Sequence, residues 1–170
     1  MTNDAVTCYL CLGSNLGERE RNLRLALGYL KERMKIETVS SIYDTAPVGD
    51  VNQPRFLNMV VKAATRLTAP AVLFIAKGIE AKMGRVPAGS PRPIDIDILF
   101  YGDQAINTPP DLVVPHPRIA ERAFVLIPLA EIAPGLVHPV LQESVKEMLE
   151  KVDGQDGVLP WTVPAGESHV

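Results

Sequence analysis

The chain has 170 residues, 46% of them hydrophobic and 22% charged, with a formal net charge of −3 and a pI near 5.6. One domain of that length can bury about 70% of the surface its unfolded chain exposes, and without a global basic field a polynucleotide is not an expected partner. No apolar run approaches the ~20 residues that span a bilayer, and Met1 to Asp4 lacks the basic start of a secretory signal, so a cytoplasmic protein with small-molecule partners, no nucleic acid and no membrane is expected, with a monomer as the default.

Val6 to Leu12 reads as a first strand, ended by Gly13-Ser14-Asn15. Cys8 and Cys11 lie in it at an odd spacing that sends them to opposite faces. With no second pair to complete a zinc set, buried structural thiols are expected. Asn15 and Glu18 have capping-box spacing for a helix whose Leu23, Leu27, Leu30 and Met34 form an apolar stripe. The Gly13–Gly17 turn could present backbone amides to an anion, or serve only as a turn and cap. Ile36 to Thr45 is β-leaning, Ala46 to Pro54 is a loop, and Phe56 to Thr65 is a third strand.

Thr68 caps a second helix, with Pro70 in its first turn and Gly84 at its end. The loop Arg85 to Pro93 leads into a strand carrying Asp95 and Asp97. Gly102-Asp103 turns the chain, and Ala105 to Asn107 is placed to pair back. Pro109, Pro110, Pro115 and Pro117 make a rigid loop around His116. Ile119 to Leu126 is helical with Pro128 as its limit, and Gln142 to Val152 is a last helix. From Asp153 a weakly structured tail is expected. The order strand, helix, strand, strand, helix, strand predicts an α+β, ferredoxin-like sandwich with a mainly antiparallel sheet, in a single domain over 1–170. Two helices would cover one face and leave the other to loops and ligands.

Along an extended strand Asp95 and Asp97 share one face, roughly 7 Å apart at Cα, while Ile94, Ile96 and Ile98 share the other. Two carboxylates that close repel, and partial burial raises the cost of ionising both. A divalent cation such as Mg²⁺, which shares its shell with substrate phosphates, relieves the conflict; a solvated face explains the alternation without one. Arg85, Arg92, His116, Arg118 and Arg122 lie in or beside the same loops, and arginine's planar fork suits phosphate oxygens. Glu80 sits one turn before Gly84, either to orient an arginine or contact a nucleotide, or as a plain surface carboxylate. Phe56 and Asn58 share a face of the third strand, an aromatic beside an amide, suited to a flat heterocycle or to cross-strand packing. No G-x-x-x-x-G-K-[ST] loop is present, which excludes a P-loop kinase.

With Leu12–Gly17, Tyr43–Gly49, Gln53–Asn58, Pro91–Leu99, Val114–Arg118, Arg122–Phe124 and Glu131–Pro134 assembled, the chain resembles the 6-hydroxymethyl-7,8-dihydropterin pyrophosphokinases of folate biosynthesis. The resemblance runs from about Cys8 to Pro139. It implies a ferredoxin-like α+β fold and transfer of the pyrophosphoryl group of ATP to the pterin hydroxymethyl oxygen, releasing AMP. It further implies that Asp95 and Asp97 hold two Mg²⁺ ions and that Arg92 and Arg122 act with them as catalytic residues on phosphate charge. ATP would meet Glu80, Arg85, Arg92, Ile98, His116 and Arg122. The pterin would lie between Phe56 and Phe124, near Asp95, with Thr45, Pro47, Val48 and Asn58 reading its edges.

Two departures stand out. Arg85 to Ser90 is a short loop, with Pro87 where members often carry a second arginine, Ser90 where a glycine is usual, and the only tryptophan, Trp161, in the tail. Pro117 replaces an aromatic seen in some members. Two other classes remain for the same residues: a Mg²⁺-dependent phosphohydrolase or nuclease using the aspartate pair, and a non-catalytic ferredoxin-like binding module. Alanine at both aspartates separates them, since the module would keep its ligand affinity and the pyrophosphokinase would lose Mg²⁺-dependent nucleotide binding.

Overall fold

The strand β1 (Val6–Ser14) sits near the middle of the sheet, and its alternating side chains feed two separate cores. The computed structural model of the chain describes residues 4–47, 52–84, 86, 87 and 89–161. Cys8, Leu10 and Leu12 face α1 (Arg19–Lys31) and α2 (Ala69–Lys82). Tyr9 and Cys11 face the opposite way. The odd spacing of the two cysteines therefore does place them in different cores, and both thiols are buried and unpaired. Burial pushes the Cys8 thiol up to about 12 and the Cys11 thiol well above its usual value, so neither is a ready nucleophile.

β1 pairs antiparallel with β4 (Phe56–Thr65) on one side and β5 (Asp95–Tyr101) on the other. β2 (Lys35–Val39) and β3 (Tyr43–Thr45) both pair with β4. They are two strands rather than one, because Ser40 turns inward and exchanges hydrogen bonds with Val60: its N–H donates to the Val60 carbonyl and its Oγ accepts the Val60 N–H, both at 2.9 Å. The mixture of helices on a mainly antiparallel sheet is the predicted α+β, ferredoxin-like arrangement. Among the described residues no helix is long and apolar enough to cross a membrane.

Several local expectations are corrected. The face expected to be free is half covered by α3 (Ala123–Ile132) and α4 (Val145–Lys151), which bury Val125, Leu126, Leu129, Val145 and Met148 against Tyr9, Cys11, Val60 and Leu99. α3 also runs through Pro128. A proline there removes one backbone donor, and burial of the apolar residues around it offsets that loss. Asn15 and Glu18 form no capping box: Glu18 is the N-cap without a side-chain bond, and Asn15 is buried elsewhere. The capping box occurs at Ser144 and Glu147, so the last helix starts at Val145 rather than Gln142.

Residues 106–108 do not return to the main sheet. They form β6 (Ile106–Thr108), which pairs with β7 (Leu112–Val114) inside the expected proline loop. The tail is structured as far as Trp161: a 3-10 turn at Gln155–Gly157 leads into β8 (Val158–Pro160), which pairs with β3. The rest of the tail, 162–170, lies outside the described residues.

Candidate active site

At one end of the sheet Gly13, the last residue but one of β1, and Asp95, the first of β5, are register partners. The exposed end of that face is polar because the residues alternating with Ile94, Ile96 and Ile98 are Asp95 and Asp97, both half-buried. A cavity of about 220 Å³ opens there, with Thr45, Phe56, Asn58, Phe124, Arg122 and the two aspartates in its wall. Asn58 is buried and donates from Nδ2 to Thr45 Oγ1 at 2.7 Å, which fixes its amide. Gly13 provides the room: a Cβ there would lie 2.5 Å from Asn58 Oδ1 and 3.4 Å from Phe56 Cδ1. The Arg122 guanidinium stands 5.5 Å from the Phe124 ring centroid.

A second cavity, of about 260 Å³, shares Asp97 with the first and is walled by His116, Ile98, Leu112, Pro117 and Lys77. Asp97 is thus the common wall of an aromatic-and-amide pocket and a pocket behind β5. Burial raises its carboxyl to about 7, the neighbouring Asp95 adding to the rise and Arg122 opposing it. His116 is moved the other way, down to about 4, by burial and by the Arg122 charge. Its Nδ1 accepts the Arg118 N–H at 3.2 Å, so the neutral ring carries its proton on Nε2 and can donate there.

The raised Asp97 carboxyl has a measurable consequence for stability. A folded-state value above the ordinary 3.8 means that the contribution from the protonated form is complete at acid pH and is lost as pH rises through about 7. Asp97→Asn removes that dependence. Urea unfolding should show variant and parent close together at pH 4, and the variant more stable by about 2–4 kcal/mol at pH 8. Equal separation at both pH values would contradict the assignment.

Glu80 also has a structural role that the sequence did not suggest. Its Oε2 accepts the Ile96 N–H at 2.8 Å, satisfying a donor on the outer edge of β5 between the two aspartates. Lys77 lies 3.4 Å from its other oxygen, and both line a third cavity with Arg92. Arg92 reaches Asp95 at 3.6 Å. Ile98 and His116 are together as expected, whereas Pro47 lines an adjoining cavity rather than the first one. Val48 and Arg85 lie outside the described residues.

Sequence reasoning did not find the device that fixes Arg92. Asn15 Oδ1 accepts the Arg92 N–H at 2.7 Å, and the Asn15 N–H donates to the Arg92 carbonyl at 3.1 Å. Asn15 Nδ2 donates to Gln53 Oε1 at 3.1 Å, and the Gln53 amide donates to the Gly89 carbonyl. One asparagine and one glutamine therefore tie three loops together at the head of β5. The alternative use of Asn15, as a helix cap, concealed this in the sequence. Nor did the sequence mark Gly13 as a space-maker or Lys77 as the partner of Glu80.

Among the described residues no three His, Cys, Asp or Glu side chains are grouped to hold a metal by themselves. Two carboxylates that repel each other, one with its proton held to about 7, nevertheless fit a hard cation completed by ligand oxygens.

The sequence profile of 7,8-dihydro-6-hydroxymethylpterin-pyrophosphokinase (HPPK) matches residues 9–134. A 2-amino-4-hydroxy-6-hydroxymethyldihydropteridine pyrophosphokinase of Aquifex aeolicus (strain VF5) is 42% identical over 143 residues, 83% of this chain and 89% of that protein. The protein of the same name from Bacillus subtilis (strain 168) is 41% identical over 162 residues, covering 93% and 92%. Among solved structures, a Plasmodium falciparum HPPK-DHPS triple mutant superposes with a TM-score of 0.71 at 19% identity, over 88% of this chain and 44% of that one. That likeness is one of fold, and the chain spans less than half of the fused protein.

Proposed function

Since the chain belongs to the 7,8-dihydro-6-hydroxymethylpterin-pyrophosphokinase family, we propose that the two cavities meeting at Asp97 are its pterin and ATP subsites. The protein is an enzyme of folate synthesis, transferring the pyrophosphoryl group of ATP to 6-hydroxymethyl-7,8-dihydropterin and releasing AMP. In the proposed arrangement the pterin ring lies between Phe56 and Phe124. Asn58 and Thr45 read its edge, joined by the backbone at Pro47 and Val48, and Asp95 lies near its hydroxymethyl group. ATP occupies the side bounded by Ile98, His116 and Glu80, with Arg92, Arg122 and Arg85 on its phosphates.

The observation that carries this reading is the position of Asp97 in the walls of both cavities. Pyrophosphoryl transfer needs an attacking hydroxyl and a polyphosphate at one point, and a residue shared by two pockets meets that requirement. Asp95 and Asp97 would hold Mg²⁺, two ions being expected, which when bound neutralise charge on the triphosphate. The protein's own part is positioning. Asn15 holds Arg92 at the phosphates, Glu80 holds the β5 backbone between the aspartates, and neutral His116 offers Nε2–H as a donor. Arg122, between Phe124 and Asp97, is available to phosphate charge that builds in the transition state. A cytoplasmic, monomeric, single-domain enzyme completes the proposal; the two unpaired thiols suit a reducing compartment.

Calorimetry with a nonhydrolysable ATP analogue tests the site. Mg²⁺-dependent binding should be present in the parent and absent in the Asp95→Ala/Asp97→Ala double variant. Retention of Mg²⁺-dependent binding in the double variant would overturn the assignment of the metal to the two aspartates, and binding indifferent to Mg²⁺ in both proteins would overturn it in favour of a metal-independent binding module.

A further inference from the structure

The C-terminal segment reaches the wall of the pterin pocket from outside. β3 is three residues long and would be the edge of the sheet if β8 did not pair with it. Thr45 has Phe56 as its register partner on one side and Val158 on the other. Beyond the strand, the Ala46 N–H donates to the Gly157 carbonyl at 3.0 Å.

Two side chains lock this segment down. Arg55, the residue before Phe56, donates from Nε to Asp44 Oδ1 at 2.8 Å and from Nη2 to the carbonyls of Asp44 and Gly157, both at 3.3 Å. Trp161 donates from Nε1 to Glu20 Oε1 at 2.7 Å, and its N–H bonds the Ile42 carbonyl at 3.0 Å. Its ring lies 5.3 Å from the Arg19 guanidinium, which itself donates to the Arg55 carbonyl at 3.0 Å. The circuit therefore closes on the two chain segments that carry Thr45 and Phe56. A cavity of about 290 Å³ between the tail and Phe124 shows how near the segment runs to the pocket.

We propose that Arg55 and Trp161 are positioning residues for the pterin subsite, acting through the C-terminal strand that holds β3 and the start of β4 in register. Neither touches the pocket. Neither lines the cavity walled by His116 and Ile98 or the one that Glu80 and Arg92 line, so their effect falls on pterin and not on ATP. The proposal rests on the assignment of Thr45, Phe56 and Asn58 to the pterin.

The test is steady-state kinetics on the full chain, with KM for pterin at saturating MgATP and KM for ATP at saturating pterin. Arg55→Ala, Trp161→Ala and Asn58→Ala are compared, with melting temperatures as a check on folding. Arg55→Ala and Trp161→Ala should each raise the pterin KM about fivefold or more while the ATP KM stays within about twofold. Asn58→Ala should raise the pterin KM about tenfold or more. An unchanged pterin KM in the first two variants, with a raised one in Asn58→Ala, would overturn the positioning role and leave the subsite standing. Equal rises in both KM values would also overturn it, as a merely structural effect. No change in Asn58→Ala would instead overturn the subsite assignment. Should Trp161→Ala fail to fold, the half-exposed Arg55 carries the same test.

Discussion

Asp97→Asn should fold, gain stability above neutral pH, and lose at least about 10³-fold in kcat, roughly 4 kcal/mol of barrier. The two effects have one origin. Burial makes ionising Asp97 costly and the neighbouring Asp95 adds to that cost, so the free protein holds its proton to about 7. A neutral amide relieves that conflict and replaces an anionic ligand of the proposed cation by a weaker, uncharged one at the same time. Stability gained and turnover lost together is the signature of a residue kept for chemistry. Circular dichroism and steady-state kinetics on the same preparation check it. Turnover within about tenfold of the parent, or 1.4 kcal/mol, would remove Asp97 from the reaction.

Gly13→Ala should strike the other substrate. The new methyl would fall 2.5 Å from Asn58 Oδ1, inside van der Waals contact, so the buried amide has to move. Its 2.7 Å bond to Thr45 Oγ1 is then lost or bent, and the edge-reading pair of the pterin pocket with it. Disturbing a buried hydrogen-bonding group costs about 1–3 kcal/mol, which corresponds to a pterin KM raised about 5- to 150-fold. The ATP KM should be unaffected, because Gly13 does not line the cavity bounded by His116 and Ile98. An unchanged pterin KM would show that Asn58 is not needed where it stands.

The parts of the fold that were legible in the sequence are those written in short periods. The alternation of β5 put three isoleucines in one core and two aspartates at an open end, and the cysteine spacing divided β1 between two cores, because both follow from the strand repeat alone. Thr68, Pro70 and Gly84 marked α2 at both ends through local backbone chemistry. Tertiary demands overrode the local signals elsewhere. Asn15 and Glu18 had the spacing of a cap, but the amide was worth more against Arg92, a residue 77 positions away. Pro128 looked like a helix limit, and α3 continues because Leu126 and Leu129 on either side of it are fully buried.

The candidate site was legible in a similar, partial way. Asp95, Asp97, Phe56, Asn58, Phe124 and Arg122 carry recognisable side chains and do converge. Gly13 contributes only the absence of a Cβ, and Lys77 matters only because α2 lays it beside Glu80. The tail from Asp153 has no strong strand pattern over Val158–Pro160, since a three-residue strand takes its structure from the neighbour it pairs with.

The most direct measurement mixes the protein with ATP, Mg²⁺ and 6-hydroxymethyl-7,8-dihydropterin and separates the nucleotide products by chromatography. AMP that forms only in the presence of pterin, in equal amount to a pterin diphosphate and absent with Asp97→Asn, is the predicted result. ADP in place of AMP, or AMP that forms without pterin, would contradict pyrophosphoryl transfer at this site.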